Sequence, residues 1–306
     1  FPHESLAYLL ADAGYDVWMG NSRGNVFSTK HRTLSPDSKE FWEFTYDDMA
    51  KYDLPALITH VKQFTGVSSV SYVGHSQGTI EAFAGFTQNQ TLAADVNFFG
   101  ALAPIAYLNH QKSALLSILA DLDVAGWVAF FGFKDFLPDN TILQKLAPAL
   151  CKLIPQGCNF GLEILCGPSQ NLNESRIDVY VSETPAGTSV MNMQHWAQQV
   201  KADSFQMFDY GCGLLSCENE KHYGQKTPPL YHLADLHVPT ALFYGDDDWL
   251  GNPTDVQRIV DEAPTATIVN VTQVKTFAHL DFTWSPLAHT QVYSGIIDML
   301  KQYNPA

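Results

Sequence analysis

The stretch that most constrains this chain is residues 70 to 78. There the apolar, β-branched run Val70-Ser71-Tyr72-Val73 leads into Gly74-His75-Ser76-Gln77-Gly78. Small and apolar residues then recur at helical spacing, at Ile80, Ala82, Phe83, Ala84 and Phe86, so the pattern predicts a strand, a sharp turn and a helix. A serine in a G-x-S-x-G turn of this kind sits on a strained backbone at the end of a sheet strand, with its hydroxyl open to a substrate carbonyl. The flanking glycines serve an approach of strand and helix too close for a Cβ. Ser76 is the candidate nucleophile.

A second pentapeptide, Gly20-Asn21-Ser22-Arg23-Gly24, has the same spacing behind the strand-like run Tyr15-Asp16-Val17-Trp18-Met19. It is followed by Asn25, Ser28, Thr29, Lys30, His31 and Arg32, without apolar periodicity, and then by Pro36. That is the pattern of a loop. Ser22 is therefore read as part of a polar turn ending a buried strand over Tyr15 to Gly20.

Elsewhere strand-like and helix-like segments alternate. A helix is expected with Asp53 as N-cap, Pro55 in its first turn, an apolar face of Leu54, Leu57, Ile58, Val61 and Phe64, and a stop at Gly66. Buried strands are expected at Phe98 to Ala106, near His237 to Gly245 and at Ala266 to Val274, and a last amphipathic helix carries Val292, Ile296, Ile297 and Leu300. This order predicts an α/β fold, a parallel sheet with helices on both faces. From about Tyr107 to Leu236 the alternation gives way to mostly helix-like sequence with prolines and all the cysteines. The expected organisation is one core, 1–106 and 237–306, with a cap, 107–236, inserted between two of its strands.

Within that insertion, residues 114 to 133 are apolar enough to raise the question of a membrane span. Asp121 and Asp123 interrupt the run, and a charge at bilayer depth costs about 2.5 to 3.5 kcal/mol. A buried cap helix, or an apolar wall around an acyl pocket, fits better, and no transmembrane segment is expected.

The 306 residues carry 17 Lys plus Arg against 32 Asp plus Glu, a formal charge of −15, which repels nucleic acid and anionic head groups. Cys151, Cys158 and Cys166 form one group and Cys212 and Cys217 another. Neither group has zinc-knuckle spacing, so no metal is expected and short-range disulfides fit better. With N-x-S/T sequons at Asn89, Asn173 and Asn270, they point to an oxidising compartment on the secretory route. The chain opens on Phe1-Pro2-His3-Glu4-Ser5 without an initiator methionine, and is expected to begin within the domain, downstream of further strands of the sheet.

A serine hydroxyl needs a base to take its proton and an acid to orient that base, in this fold in the order serine, acid, histidine. The acids after a late strand are Asp246, Asp247, Asp248 and Asp255. Asp246 follows Gly245 directly, Asp248 also reaches, and position alone does not separate them. His279, in Phe277-Ala278-His279-Leu280-Asp281-Phe282, follows the last strand and is the candidate base. His289, His237, His222 and His232 lie elsewhere, and His75 is expected to point along the turn.

Taken together, these motifs resemble the acid lipases, the gastric and lysosomal lipases and their relatives. The resemblance rests on Ala11-Asp12-Ala13-Gly14-Tyr15-Asp16-Val17-Trp18 with Gly20-Asn21-Ser22-Arg23-Gly24, and on Met49-Ala50-Lys51-Tyr52-Asp53-Leu54-Pro55. Gly74-His75-Ser76-Gln77-Gly78, Pro185-Ala186-Gly187-Thr188-Ser189 and His279-Leu280-Asp281-Phe282 complete it. It implies an α/β-hydrolase fold with a mostly helical cap. It also implies a cofactor-free, metal-free Ser-His-Asp enzyme that cleaves triacylglycerols or steryl esters through an acyl-enzyme at an oil–water or membrane interface. Alignment on Gly245 and on Asn252-Pro253 puts the triad acid at Asp248.

By the same resemblance Cys151 pairs with Cys158, Cys166 stays unpaired and the Gln77 N–H is one oxyanion-hole donor. Cys212 and Cys217 lie outside the family pattern and are expected to form a short extra disulfide. A secreted or lysosomal monomer is expected. The family's early His-Gly-Leu loop, which supplies the other oxyanion donor, is absent from the 306 residues; losing one such donor costs about 2.7 to 4 kcal/mol. Two rivals therefore stay open, an esterase for shorter acyl groups and a non-catalytic lipid-binding homologue.

Overall fold

The computed structural model describes residues 2–122, 135–136, 155–182, 184, 186–213 and 216–304. Four strands form its main sheet: β1 (Val70–His75), β2 (Val96–Leu102), β5 (Thr240–Gly245) and β6 (Ile268–Val274). Two-residue strands β3 (Asp135–Phe136) and β4 (Thr188–Ser189) pair antiparallel to each other. The main sheet has the order β1-β2-β5-β6, every pair parallel, with Gly74 opposite Ala101 and Leu102 opposite Phe243.

A parallel sheet covered on both faces needs strands apolar on both sides, and β2 has that composition. Phe99 and Ala101 join a core with the helix Gln77–Gln88, while Phe98 and Leu102 join a second core with the C-terminal helix Ser294–Tyr303. At Gly100 a Cβ would stand 2.8 Å from Ile296 Cδ1, so the C-terminal helix lies directly on the strand. All five apolar residues expected on the helix after Ser76, from Ile80 to Phe86, are buried.

Three local expectations fail for physical reasons. Tyr15 to Gly20 is not a strand: it makes no ladder among the described residues, and Trp18 and Met19 are exposed. It lies against the helix Leu54–Thr65, with Gly20 on Leu57 and the Trp18 indole edge-on to Phe64 at 5.1 Å. That position offers no neighbouring strand to its N–H and C=O groups. Correspondingly, Leu54 and Ile58 are buried but Leu57 and Phe64 are exposed, so the apolar stripe of this helix is only half covered.

Asp53 is not an N-cap. The helical run begins at Thr45, whose capping box engages the Asp47 N–H and Asp48. It passes through a π turn, Met49–Asp53, before Leu54. Wider π hydrogen bonding sits just where Pro55 cannot donate, the usual way a helix absorbs such a gap. Asp53 instead accepts from the Arg23 guanidinium at 2.7 to 3.1 Å.

Between β2 and β5 the described residues form the helices Ala114–Asp121, Pro155–Cys166, Ile177–Ser182, Val190–Lys201 and Glu218–Tyr223. Leu119 and Ala120 pack on Val190 and Ala197, while Leu115 and Ile118 face outward. Cys212 is bonded to Cys217, and Cys166 is free and buried. Cys151 and Asp123 lie outside the described residues, and with Cys151 the expected pairing to Cys158. Among those residues no helix is long and apolar enough to cross a membrane.

Candidate active site

Ser76 occupies the turn between β1 and the helix Gln77–Gln88 with φ 55° and ψ −118°, a strained conformation for a residue with a Cβ. The surroundings hold it there. A Cβ at Gly74 would meet Gly78 O at 2.7 Å, the Tyr72 hydroxyl donates to that same carbonyl at 3.0 Å, and the Ser76 N–H donates to Leu102 O at 3.1 Å. Thr79 Oγ donates to the Ser76 carbonyl at 2.6 Å. Because Gln77 is the first residue of the helix, its N–H has no partner in a preceding helical turn and lies at the positive end of the dipole, beside the serine.

The structure brings three of the predicted residues together. Ser76 Oγ donates to His279 Nε2 at 2.6 Å, and His279 Nδ1–H donates to Asp248, 2.9 Å from Oδ2 and 3.0 Å from Oδ1. A carboxylate on Nδ1 fixes that tautomer and leaves a lone pair on Nε2 facing the hydroxyl. His279 and Asp248 are buried, at 2% and 1% exposure, while Ser76 is partly open. Asp248 Oδ1 also accepts the N–H groups of Leu250 and Gly251 at 2.8 Å.

The other late acids are engaged elsewhere. Asp246 is exposed and accepts from the Thr276 N–H, Asp247 is partly exposed, and Asp255 binds His110 at 2.7 Å. Ser22 donates to Glu81 at 3.3 Å.

Four contacts around the site were not anticipated from sequence. His75 Nε2 donates to the His279 carbonyl at 2.8 Å. Burial first, and then the neighbouring His279, push the His75 imidazole down to about 4, so it is neutral through the physiological range. Its signal was its place on β1, which aims it across the sheet end and not along the turn.

Asp281 is buried and accepts from Ser169 Oγ at 2.5 Å, Asn171 Nδ2 at 3.2 Å and the Ala278 N–H at 2.7 Å, tying the His279 loop to residues 169–171. The Cys166 carbonyl accepts from both the Trp249 N–H at 3.4 Å and the His279 N–H at 3.3 Å, joining the acid and base loops. Glu81 is buried at 6% exposure and accepts from Gln77 Nε2 at 3.0 Å. Its signal was a lone acid inside the apolar run Ile80 to Phe86.

A parallel sheet, a strained serine at a strand-to-helix turn and a histidine–aspartate pair after later strands are the marks of an alpha/beta hydrolase. A profile of the alpha/beta hydrolase fold matches residues 1–286. Human gastric triacylglycerol lipase is 43% identical over 304 residues, covering 98% of this chain and 75% of the lipase. Lysosomal acid lipase/cholesteryl ester hydrolase of Macaca fascicularis is 44% identical over 306 residues, with the same shares. The chain belongs to the acid lipase family of alpha/beta hydrolases. Among solved structures, a soluble variant of monoglyceride lipase from Saccharomyces cerevisiae superposes with a TM-score of 0.55 at 12% identity, covering 100% of this chain and 84% of its own. That likeness speaks for the fold alone.

Proposed function

We propose that the protein hydrolyses carboxylic esters of neutral lipids through an acyl-enzyme on Ser76. His279 Nε2 takes the Ser76 proton as Oγ attacks the ester carbonyl, and Asp248 stabilises the imidazolium that forms. The Gln77 N–H donates to the developing oxyanion. Collapse breaks the bond from the carbonyl carbon to the alkoxy oxygen, and His279 returns its proton to the departing alcohol. Water then attacks the acyl-enzyme, giving its proton to His279. Collapse of that second intermediate, with His279 passing its proton to the departing Ser76 Oγ, frees the fatty acid and restores the serine.

The observation that carries this reading is the 2.6 Å hydrogen bond from Ser76 Oγ to His279 Nε2. The relatives' names include triacylglycerol and cholesteryl ester, and we place this chain's substrates in the same class of long-chain neutral esters. Residues 107–236 then act as a cap over the serine, and a compartment on the secretory route, extracellular or lysosomal, suits the Cys212–Cys217 disulfide. The test is Ser76→Ala, assayed on emulsified long-chain and soluble short-chain esters, with a fluorophosphonate probe on the parent enzyme. Abolished turnover with serine-dependent labelling is expected. Unchanged hydrolysis by the variant, or no labelling of Ser76, overturns the reading.

A further inference from the structure

The Gln77 side chain is saturated with hydrogen bonds. Its Nε2 donates to Glu81 Oε1 at 3.0 Å and to Met49 Sδ at 3.2 Å, and its Oε1 accepts from Asn192 Nδ2 at 2.7 Å and Trp196 Nε1 at 3.1 Å. With two donors on the oxygen and two acceptors on the nitrogen, only one orientation of this carboxamide is allowed. Asn192 and Trp196 stand on the helix Val190–Lys201, and Glu81 stands one turn along from Gln77 on the helix that Ser76 opens. The carboxamide is thus a strut between the helix that starts at the nucleophile and one from the long insertion.

Glu81 anchors the strut from below. It is buried, and Arg23, the neighbouring cation, is taken up by Asp53 at 2.7 Å, with Asp48 a further charge on Arg23. Among the described residues the hydroxyl on Glu81 is that of Ser22, from the second G-x-S-x-G pentapeptide. A buried carboxyl group with no ion pair among the described residues is costly to keep, and besides the Ser22 hydroxyl its hydrogen-bond partner is Gln77, in the first turn of the Ser76 helix.

We propose that Glu81 is a positioning residue for oxyanion stabilisation: through the Gln77 carboxamide it fixes the helix turn whose first N–H faces the ester carbonyl oxygen. Ser22 is the hydroxyl that seats Glu81, which gives the second pentapeptide a supporting role. The proposal rests on the hydrolase reading above. Burial pushes the Glu81 carboxyl up to about 7, so the neutral acid, which accepts from Gln77 through its carbonyl oxygen, dominates in acidic media. That is the form Gln imitates.

The experiment compares Glu81→Leu and Glu81→Gln in kcat and KM on a soluble short-chain ester, and in affinity for a trifluoromethyl ketone that forms a tetrahedral adduct on the serine. Near-ultraviolet circular dichroism checks the fold. Expected for Glu81→Leu is a loss of at least tenfold in kcat with KM within twofold, and an equal loss of affinity for the ketone. Glu81→Gln should stay within threefold of the parent.

A kcat loss below tenfold, a loss carried by KM, or a Gln variant as impaired as the Leu variant overturns the proposal. Should Glu81→Leu fail to fold, Trp196→Phe keeps an aromatic ring but removes the indole N–H, with part of the ring, at the other end of the same carboxamide, and is judged by the same thresholds. Turnover that survives Ser76→Ala overturns the hydrolase reading and this proposal with it. With Ser76→Ala inert, the strut variants alone decide.

Discussion

His75, the residue just before the candidate nucleophile, holds the backbone of the candidate base: its Nε2–H donates to the His279 carbonyl at 2.8 Å. The ends of β1 and of the loop after β6 are thereby joined directly, across the sheet order β1-β2-β5-β6.

Replacing His75 with Ala leaves that carbonyl without its donor, at a cost of about 1 to 3 kcal/mol in stability. It also loosens the imidazole that must meet Ser76 Oγ. We expect kcat to fall by about tenfold or more with KM little changed, since misplacement acts on the chemical step. Steady-state kinetics beside a urea melt separate the two effects.

Asp248 and Asp246 are two residues apart and should behave differently. Asp248→Asn leaves the shape but puts an amide against His279 Nδ1, and a drop on the order of 10⁴ in kcat is expected by comparison with other serine triads. Asp246→Asn touches an exposed turn and should change kcat by less than about twofold. Equal losses in the two variants would refute the assignment of Asp248.

His75 and Glu81 give opposite pH dependences of stability. The unfolded imidazole takes a proton near 6.5 and the buried one only near 4. Its contribution is therefore full above 6.5 and is lost as pH falls toward 4. Glu81 keeps its proton up to about 7 in the fold against 4.5 when exposed; its contribution is full below 4.5 and is lost as pH rises toward 7. Each swing is on the order of 3 kcal/mol. Thermal melts from pH 4 to pH 8 should show Glu81→Gln losing less stability than the parent on the way to neutrality, and His75→Gln losing less on the way to acid.

Removing the short disulfide by Cys212→Ser with Cys217→Ser should cost about 2 kcal/mol by loop-closure entropy for so small a ring, and leave turnover unchanged. A melting curve and an ester assay check it. Denatured, unreduced protein should yield the thiol of Cys166 and none from Cys212 or Cys217.

Much of this geometry was legible in the sequence because it is periodic or punctuated. The buried face from Ile80 to Phe86 and the strands around Phe98 and Leu242 follow directly from apolar spacing. Ser76, Asp248 and His279 stand where strand ends and a family pattern put them. What escaped depends on contacts between segments distant along the chain. Tyr15 to Gly20 has a strand's composition, yet lies across a helix and finds no ladder. Asp53 looks like a cap, but the π turn carries the helix back to Thr45. His75, Glu81 and Asp281 each act through groups 100 or more residues away or through a side chain's orientation, and no local pattern encodes either.

The hydroxyl of Ser76 and the ring it contacts are 203 residues apart in the chain. Contacts of such long range close late when a chain folds. On refolding from denaturant, recovered helix signal should therefore precede recovered ester cleavage, and any partly assembled species would carry the serine's turn without the histidine ring beside it.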